Sequence, residues 1–148
     1  MQIEALDNYY LIRLEAGEEV IESLKRFANE HGVGFAALWA IGAFKRVTLG
    51  YFDATANTYH HRAVEEQVEV LNLSGTISRG ENDAPVVHAH VTVGRSDCHT
   101  LGGHLAEATV NPTLEIAMIV APATIHRSRD PVTGLMLWDL KATERMQA

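Results

Sequence analysis

The most regular hydrophobic pattern lies near the N-terminus and predicts one amphipathic helix. Between about Glu18 and His31, apolar residues recur at helical spacing and form one stripe, made of Val20, Ile21, Leu24, Phe27 and Ala28. Glu18 and Glu19 lie near the positive end of this helix, and Gly32 is placed to end it. We interpret the helix as structural, without chemistry of its own.

Strand-like patterns dominate the rest of the chain. The run YYLIRL predicts the first strand, and from Gly34 onward long apolar or alternating runs follow one another. Asn111-Pro112 is expected to mark a turn between two strands, and RGENDA is expected to be a polar loop. One early helix followed by many strands predicts an α+β fold, with a large, mostly antiparallel β-sheet and one main amphipathic helix. The runs read as strands are GFAALWAIGAF, RVTLGYFD, TYHHRAV, QVEVLNLSGTIS, PVVHAHVTVG, HLAEATV, TLEIAMIV and GLMLWDL.

The composition is that of an ordinary globular protein and narrows the range of functions. The chain of 148 residues fits one domain, residues 1–148, in which 47% of residues are hydrophobic and 21% are charged. The net charge of −7 argues against a general affinity for nucleic-acid phosphates. Cys98 is the only cysteine, and the N-terminus lacks the pattern of a secretory signal. No run approaches the roughly 20 apolar residues that a membrane helix needs. We therefore predict a cytoplasmic protein with no membrane partner.

Four of the eight histidines lie in one short stretch, HAHVTVGRSDCHTLGGHL. Side chains two apart on a strand share a face, so His88 and His90 point the same way, and the opposite face is apolar, formed by Val87, Ala89, Val91 and Val93. An antiparallel neighbouring strand could bring His104 beside this pair. Gly102 and Gly103 would allow a tight turn or a close backbone approach just before it. Three neutral imidazoles suit Zn²⁺ or another divalent transition metal and leave a fourth position open.

Other interpretations of the histidines remain open. The same three rings could be half-exposed sheet histidines that are satisfied by solvent or carboxylates. Cys98 could add a thiolate ligand, and of the adjacent His60 and His61 at most one can contribute, because neighbouring strand residues face opposite ways. We interpret His31 as a cation at the end of the helix and His126 as the start of a loop.

A metal ion with an open position would also permit hydrolysis, if a general acid or base lies nearby. Glu69 is the main candidate for such a catalytic residue. Strand alternation places it on one face with Leu71 and Leu73, where burial would raise its pKa. Glu115 and Asp97 are weaker candidates. Each of these carboxylates could instead pair with an arginine or contact another subunit.

The chain also contains four ordered blocks that together match one known pattern: LIRLEAGEEVIESLKRFANEHGV, AIGAFKRVTLGYFD, EVLNLSGTIS and VVHAHVTVGRSDCHTLGGHL. They resemble the PPC domain family (plants and prokaryotes conserved, also called DUF296) in its prokaryotic form. The resemblance implies an α+β fold, a compact homotrimer, and a metal site at His88, His90 and His104. Plant members carry basic AT-hook segments that bind the DNA minor groove, and this chain has no such segment.

Three functions follow as hypotheses. The first is a homotrimeric metal-binding module, with zinc as the expected ion, that has a regulatory role or binds a small molecule. The second is a metal-dependent hydrolase or lyase acting on a small polar substrate, with Glu69 in the catalytic role. The third is a DNA-associated regulator by analogy with the plant relatives, against which the net charge argues.

Overall fold

The computed structural model describes residues 1–145, and most of them lie in β-strands. The elements, in chain order, are β1 (Gln2–Leu6), β2 (Tyr9–Glu15), α1 (Val20–Glu30), β3 (Ala36–Asp53), β4 (Thr58–Val64), β5 (Val68–Arg79), a short 3₁₀ helix (Glu81–Asp83), β6 (Pro85–Gly94), β7 (Thr100–Val120), β8 (Ala123–Arg129) and β9 (Met136–Arg145). The α+β class with one main helix is therefore confirmed.

The nine strands of residues 1–145 form one sheet in the order β1-β2-β7-β3-β5-β8-β9, and β4 is paired with β3. Every strand pairing is antiparallel except one residue pair between β5 and β8. β6 lies between β5 and β7, so the hydrogen bonding runs from β3 through β5, β6 and β7 back to β3. This closed circuit fixes β6 against β7, the two strands that carry the histidine stretch.

The helix α1 packs against β6 and β7 and buries the predicted apolar stripe, apart from the half-buried Ile21. Glu19 caps its first turn, because the carboxylate accepts a 2.7 Å hydrogen bond from the backbone N–H of Glu22. The helix begins and ends slightly inside the predicted range. Gly32, with φ of +60°, follows its last turn as expected.

A buried arginine joins the other end of α1 to the sheet. Arg79, the last residue of β5, is 7% exposed. It donates hydrogen bonds to the carbonyl oxygens of Val33 at 2.9 Å and Ala28 at 3.1 Å. Arg79 also donates to the side-chain oxygen of Asn29 and the carbonyl oxygen of Asp83. These bonds tie the last turn of α1 and the segment after it to β5, and the carbonyl of Ala28 also accepts a hydrogen bond from the backbone N–H of Val33.

Three strand predictions are corrected. The first strand is not the run that starts at Tyr9 but β1, which forms a hairpin with β2. All five residues of β1 are exposed, so it has no buried face to produce an alternating pattern.

Asn111-Pro112 does not separate two strands, since β7 continues through it. The register with β3 shifts there, so that three β7 residues (111–113) lie opposite the single β3 residue Ala43, and the strand bulges instead of ending.

The segment around His126 is a strand and not the predicted loop. It belongs to β8, which pairs with β9 and contacts the end of β5. Among residues 1–145, no helix is both long and apolar enough to cross a membrane.

Candidate metal centre

The histidine pairing follows from the register of two antiparallel strands. His90 on β6 is the direct partner of His104 on β7. His88 lies two residues before His90 on the same strand and therefore on the same face. Each of the three rings lies 5.3–5.5 Å from the other two, measured between ring centroids. The three predicted histidines thus converge at one point of the sheet.

One ring nitrogen from each of His88, His90 and His104 lies within 4.8 Å of the others. A tetrahedral zinc site with bonds of about 2.0–2.1 Å sets ligand nitrogens about 3.3 Å apart. The nitrogens would need to approach by at most about 1.5 Å, which small side-chain rotations can supply. The spacing of the donor atoms therefore fits a metal ion of this size.

A second observation tests the same fit. The Nδ1 atom of His104 is buried and has no hydrogen-bond partner among the described residues. Leaving a buried polar atom unpaired costs roughly 1–3 kcal/mol. A cation bound by this nitrogen would remove the cost. The donor set of three imidazoles is also typical of a site that leaves one coordination position for water or another ligand.

The protonation states favour metal binding as well. Burial, followed by the neighbouring His88, His90 and His61, lowers the pKa of His104 from 6.5 to about 4. Burial, with the positive charge of Arg127 and the ring of His90, also lowers the pKa of His88. Rings with depressed pKa values are neutral at pH 7, and neutral imidazole is the form that binds metals. These two ligands need not lose a proton on binding.

A cleft opens beside the histidines. Its volume is about 220 Å³, and it is lined by Tyr59, Val86, Val87, His88, His104, Arg127, Leu135, Met136 and Leu137. The ring of Tyr59 lies 5.2 Å from that of His104, and an Nη atom of Arg127 lies 3.4 Å from Nδ1 of His88. A small molecule in this cleft would contact two of the three histidines. Bound there, a metal ion would act as a Lewis acid and lower the pKa of a coordinated water.

Glu69, the predicted catalytic residue, does not lie at this site. His90 pairs with Ser74 on β5, and Glu69 lies five residues before Ser74, about 16 Å along the strand. The expected burial of Glu69 is wrong, because its side chain is exposed. A register shift between Val70 and Asn72 interrupts the alternation, so Glu69 and Leu73 no longer share a face.

The other carboxylate candidates also lie elsewhere. Glu115 is exposed on β7, opposite Arg13 of β2. Asp97 is exposed in the loop before β7, where it accepts a hydrogen bond from the backbone of His99 and contacts that ring at 3.1 Å. Cys98 is exposed in the same loop and is not part of the cluster formed by the three histidines.

The remaining histidines have separate surroundings. His60 is exposed and lies 3.6 Å from a carboxylate oxygen of Asp53. His61 stacks against Tyr59, which also contacts Phe52 and His104, so His61 lies near the cluster without belonging to it. His31 stacks on Phe27 at the end of α1, with 4.4 Å between ring centroids.

The two glycines before His104 lie inside β7 and do not form a turn. Gly103 pairs with Val91 of β6, and a Cβ atom at Gly103 would lie 2.8 Å from the carbonyl oxygen of Gly50 on β3. A close backbone approach is therefore the reason for glycine at this position. It lets β3 and β6 both lie close to β7 next to the histidines.

Arg127 is the residue at the site that sequence reasoning missed. It lies on β8, whose sequence ATIHRSR has no apolar alternation that would indicate a strand. Nothing in its spacing relates it to the histidine stretch. The burial of Arg127 and its nearness to the histidines become visible only in the folded sheet, where β8 lies beside β5.

Comparisons with solved structures extend over nearly the whole chain. A Bacteroides thetaiotaomicron protein, provisionally described as DNA-binding, is 31% identical with a TM-score of 0.90, covering 95% of this chain and 97% of its own. A metal-containing protein from Archaeoglobus fulgidus is 31% identical with a TM-score of 0.81, covering 93% and 96%. A plant- and prokaryote-conserved (PPC) protein from Pyrococcus horikoshii is 29% identical with a TM-score of 0.82, covering 93% of each chain.

No curated protein matches the sequence. The model of the Plants and Prokaryotes Conserved (PCC) domain matches residues 1–122, which include α1, β1 to β7 and the three histidines. This match confirms the resemblance seen in the four sequence blocks. The chain belongs to the Plants and Prokaryotes Conserved (PCC) domain family.

Proposed function

We propose that this protein is a homotrimeric metal-binding module that binds a small ligand at the metal, with zinc as the expected ion. The observation that carries the proposal is the convergence of His88, His90 and His104, whose nitrogens lie within 4.8 Å of one another. The unpaired Nδ1 of His104 and the lowered pKa values of two of the rings support it. A relative 31% identical to this chain is described as a metal-containing protein, which agrees with the proposal.

The trimer is supported by an apolar face on the sheet. Across β2, β7 and β3 the register aligns Leu11, Ala117 and Trp39 in one row and Arg13, Glu115 and Ile41 in the next row on the same face. Leu11, Trp39 and Ile41 are 47–60% exposed, and they line an open depression of about 550 Å³. Contiguous exposed apolar surface of this kind is typical of protein–protein interfaces. Another copy of the chain is the partner that the family resemblance implies.

Metal content and mass in solution test both parts of the proposal. Protein dialysed against zinc and then against buffer should retain about one zinc ion per chain, and light scattering should give three chains per particle. Replacing His90 by Ala should reduce the retained zinc at least about tenfold, because one of three ligands is lost. Replacing His126, which lies outside the cluster, is the matched control and should leave the zinc content unchanged. A wild-type protein that retains no zinc would refute the metal site.

The apolar face has its own test. Trp39→Glu places a charge among the exposed apolar residues and should shift the particle mass toward the monomer without altering the zinc content of each chain. Tyr51→Glu is the control, because Tyr51 is 71% exposed and does not line that depression. If Trp39→Glu remains trimeric, this face is not the subunit interface.

Hydrolysis that depends on Glu69 receives no support from the geometry. The carboxylate is exposed and about 16 Å along β5 from the histidines, so it cannot serve a water bound to the metal of its own chain. Ligand binding at the metal is therefore the function that the site supports best.

A further inference from the structure

Within residues 1–145, Arg127 is a buried cation without a carboxylate partner. Its side chain is 8% exposed, and none of the ion pairs in residues 1–145 involves it. Buried charges are normally paired, because an uncompensated one is costly to desolvate. The ring of Trp138, 5.7 Å from the guanidinium carbon, offers only a weak cation–π contact.

The guanidinium is nevertheless held in a defined position. Its Nε–H donates to Oγ of Ser78 at 2.7 Å, and Nη1 donates to the carbonyl oxygen of Met136 at 2.7 Å. These two bonds direct Nη2 toward His88, whose Nδ1 lies 3.4 Å away. A guanidinium has five N–H donors, so two further N–H groups of Arg127, which lines the cleft, have no protein acceptor among the described residues. Arg79 differs, since it donates to four oxygen acceptors.

Metal binding would remove the third contact of Arg127. A neutral imidazole has one nitrogen with a free lone pair and one that carries a proton. If the metal takes Nε2 of His88, Nδ1 carries the proton and cannot accept from Arg127. If the metal takes Nδ1, the lone pair that Arg127 now faces is used for coordination. In both cases Nη2 loses its acceptor while a second positive charge enters the cleft.

We infer that Arg127 and the metal together form a binding site for a small oxyanion, a carboxylate or a phosphate, and that this site is complete only when the metal is bound. The inference rests on the proposed metal site. An oxyanion in the cleft would accept from Nη2 of Arg127 and approach the open coordination position, compensating both positive charges. The volume of about 220 Å³ lies below the roughly 300–1,000 Å³ of pockets for drug-sized molecules, so the ligand is small. Arg127 lies beyond residues 1–122, the part that matches the family.

The test measures anion binding and metal content on the same samples. Acetate and inorganic phosphate are titrated separately into zinc-loaded and metal-free protein by calorimetry, with zinc measured before and after. One of the two anions should bind the zinc-loaded wild type at least about tenfold more tightly than the metal-free protein. Arg127→Gln should retain its zinc and weaken that binding at least about tenfold, as expected for the loss of a charge-assisted hydrogen bond. Arg129→Gln, on the same strand but outside the cleft, should bind as the wild type does.

The possible results distinguish a failure of the anion site from a failure of the metal site. If neither anion binds, or if Arg127→Gln keeps its zinc and binds the anion as tightly as the wild type, the anion site is refuted and the metal site stands. If the wild type retains no zinc, both proposals fall. If Arg127→Gln loses its zinc, Arg127 is required for the metal site itself, and an anion site that Arg127 forms with an independently bound metal is refuted. Should Arg127→Gln not fold, Arg127→Met keeps the length of the side chain without its charge, and anion binding equal to that of the wild type would refute the site.

Discussion

His90 of β6 lies directly opposite His104 of β7, and this one residue pair determines where the candidate metal centre lies. His88 joins it through the two-residue period of β6. The register itself is secured by the circuit in which β5, β6 and β7 close onto β3. A shift of the register by one residue would move the histidines to opposite faces. The site therefore depends on the pairing of whole strands, and residues that control the approach of β7 should control metal binding.

Gly103→Ala tests the role of close strand packing. The added Cβ would lie 2.8 Å from the carbonyl oxygen of Gly50, the β3 partner of His104, so β7 must move away from β3. We expect a loss of about 1–3 kcal/mol in the free energy of unfolding, together with weaker zinc binding. Urea unfolding and zinc competition measure the two effects. Gly102→Ala is the control, since its nearest contact is 3.3 Å, and it should have the smaller effect. Equal effects of the two variants would contradict this explanation.

The stability of the metal-free protein should depend on the protonation of His104. Its pKa is about 4 in the folded chain against an ordinary value of 6.5. Between these values the unfolded chain binds more protons, so the free energy of unfolding should decrease as the pH falls from about 6.5 toward 4. Denaturant unfolding at several pH values measures this. His104→Gln should show a shallower decrease than the wild type, and replacing the exposed His99 should not. If the free energy of unfolding of His104→Gln depends on pH as that of the wild type does, protonation of His104 is not the cause of the decrease.

Arg79 should contribute to stability and not to the site. Arg79→Gln removes the donors to the carbonyl oxygens of Ala28 and Val33, and we expect the free energy of unfolding to fall by roughly 2–4 kcal/mol. Arg26→Gln removes an exposed ion pair with Glu18 and should change it by less than about 1 kcal/mol. Retained zinc per folded chain should be the same in both variants. A loss of zinc in folded Arg79→Gln would show that α1 and the site are coupled.

DNA binding is not expected, although a relative 31% identical is provisionally described as DNA-binding. The net charge of −7 opposes the attraction of phosphates, on which sequence-independent binding depends. A gel-shift assay with duplex DNA at roughly physiological salt should show no retarded band at micromolar protein. A band that disappears at higher salt would instead indicate a local basic surface that the net charge conceals.

The sequence alone predicts an element and the direction of its side chains where a regular repeat of apolar residues coincides with the buried face. The stripe of α1 and the shared face of His88 and His90 each follow from a regular repeat, and the partnership with His104 required only an antiparallel neighbour. Glu69 could not be placed, because the bulge between Val70 and Asn72 is a property of the pairing with β6 and leaves no local pattern. The polar strand β8 was not recognised for a related reason: it is ordered by its neighbours and not by an apolar face of its own.

The most direct test of the metal centre is anomalous diffraction at the zinc absorption edge, from crystals of protein that retains zinc after dialysis. We expect one strong peak per chain, within bonding distance of ring nitrogens of His88, His90 and His104. A peak bound by other residues, or three rings turned away from a common point with no peak between them, would contradict it.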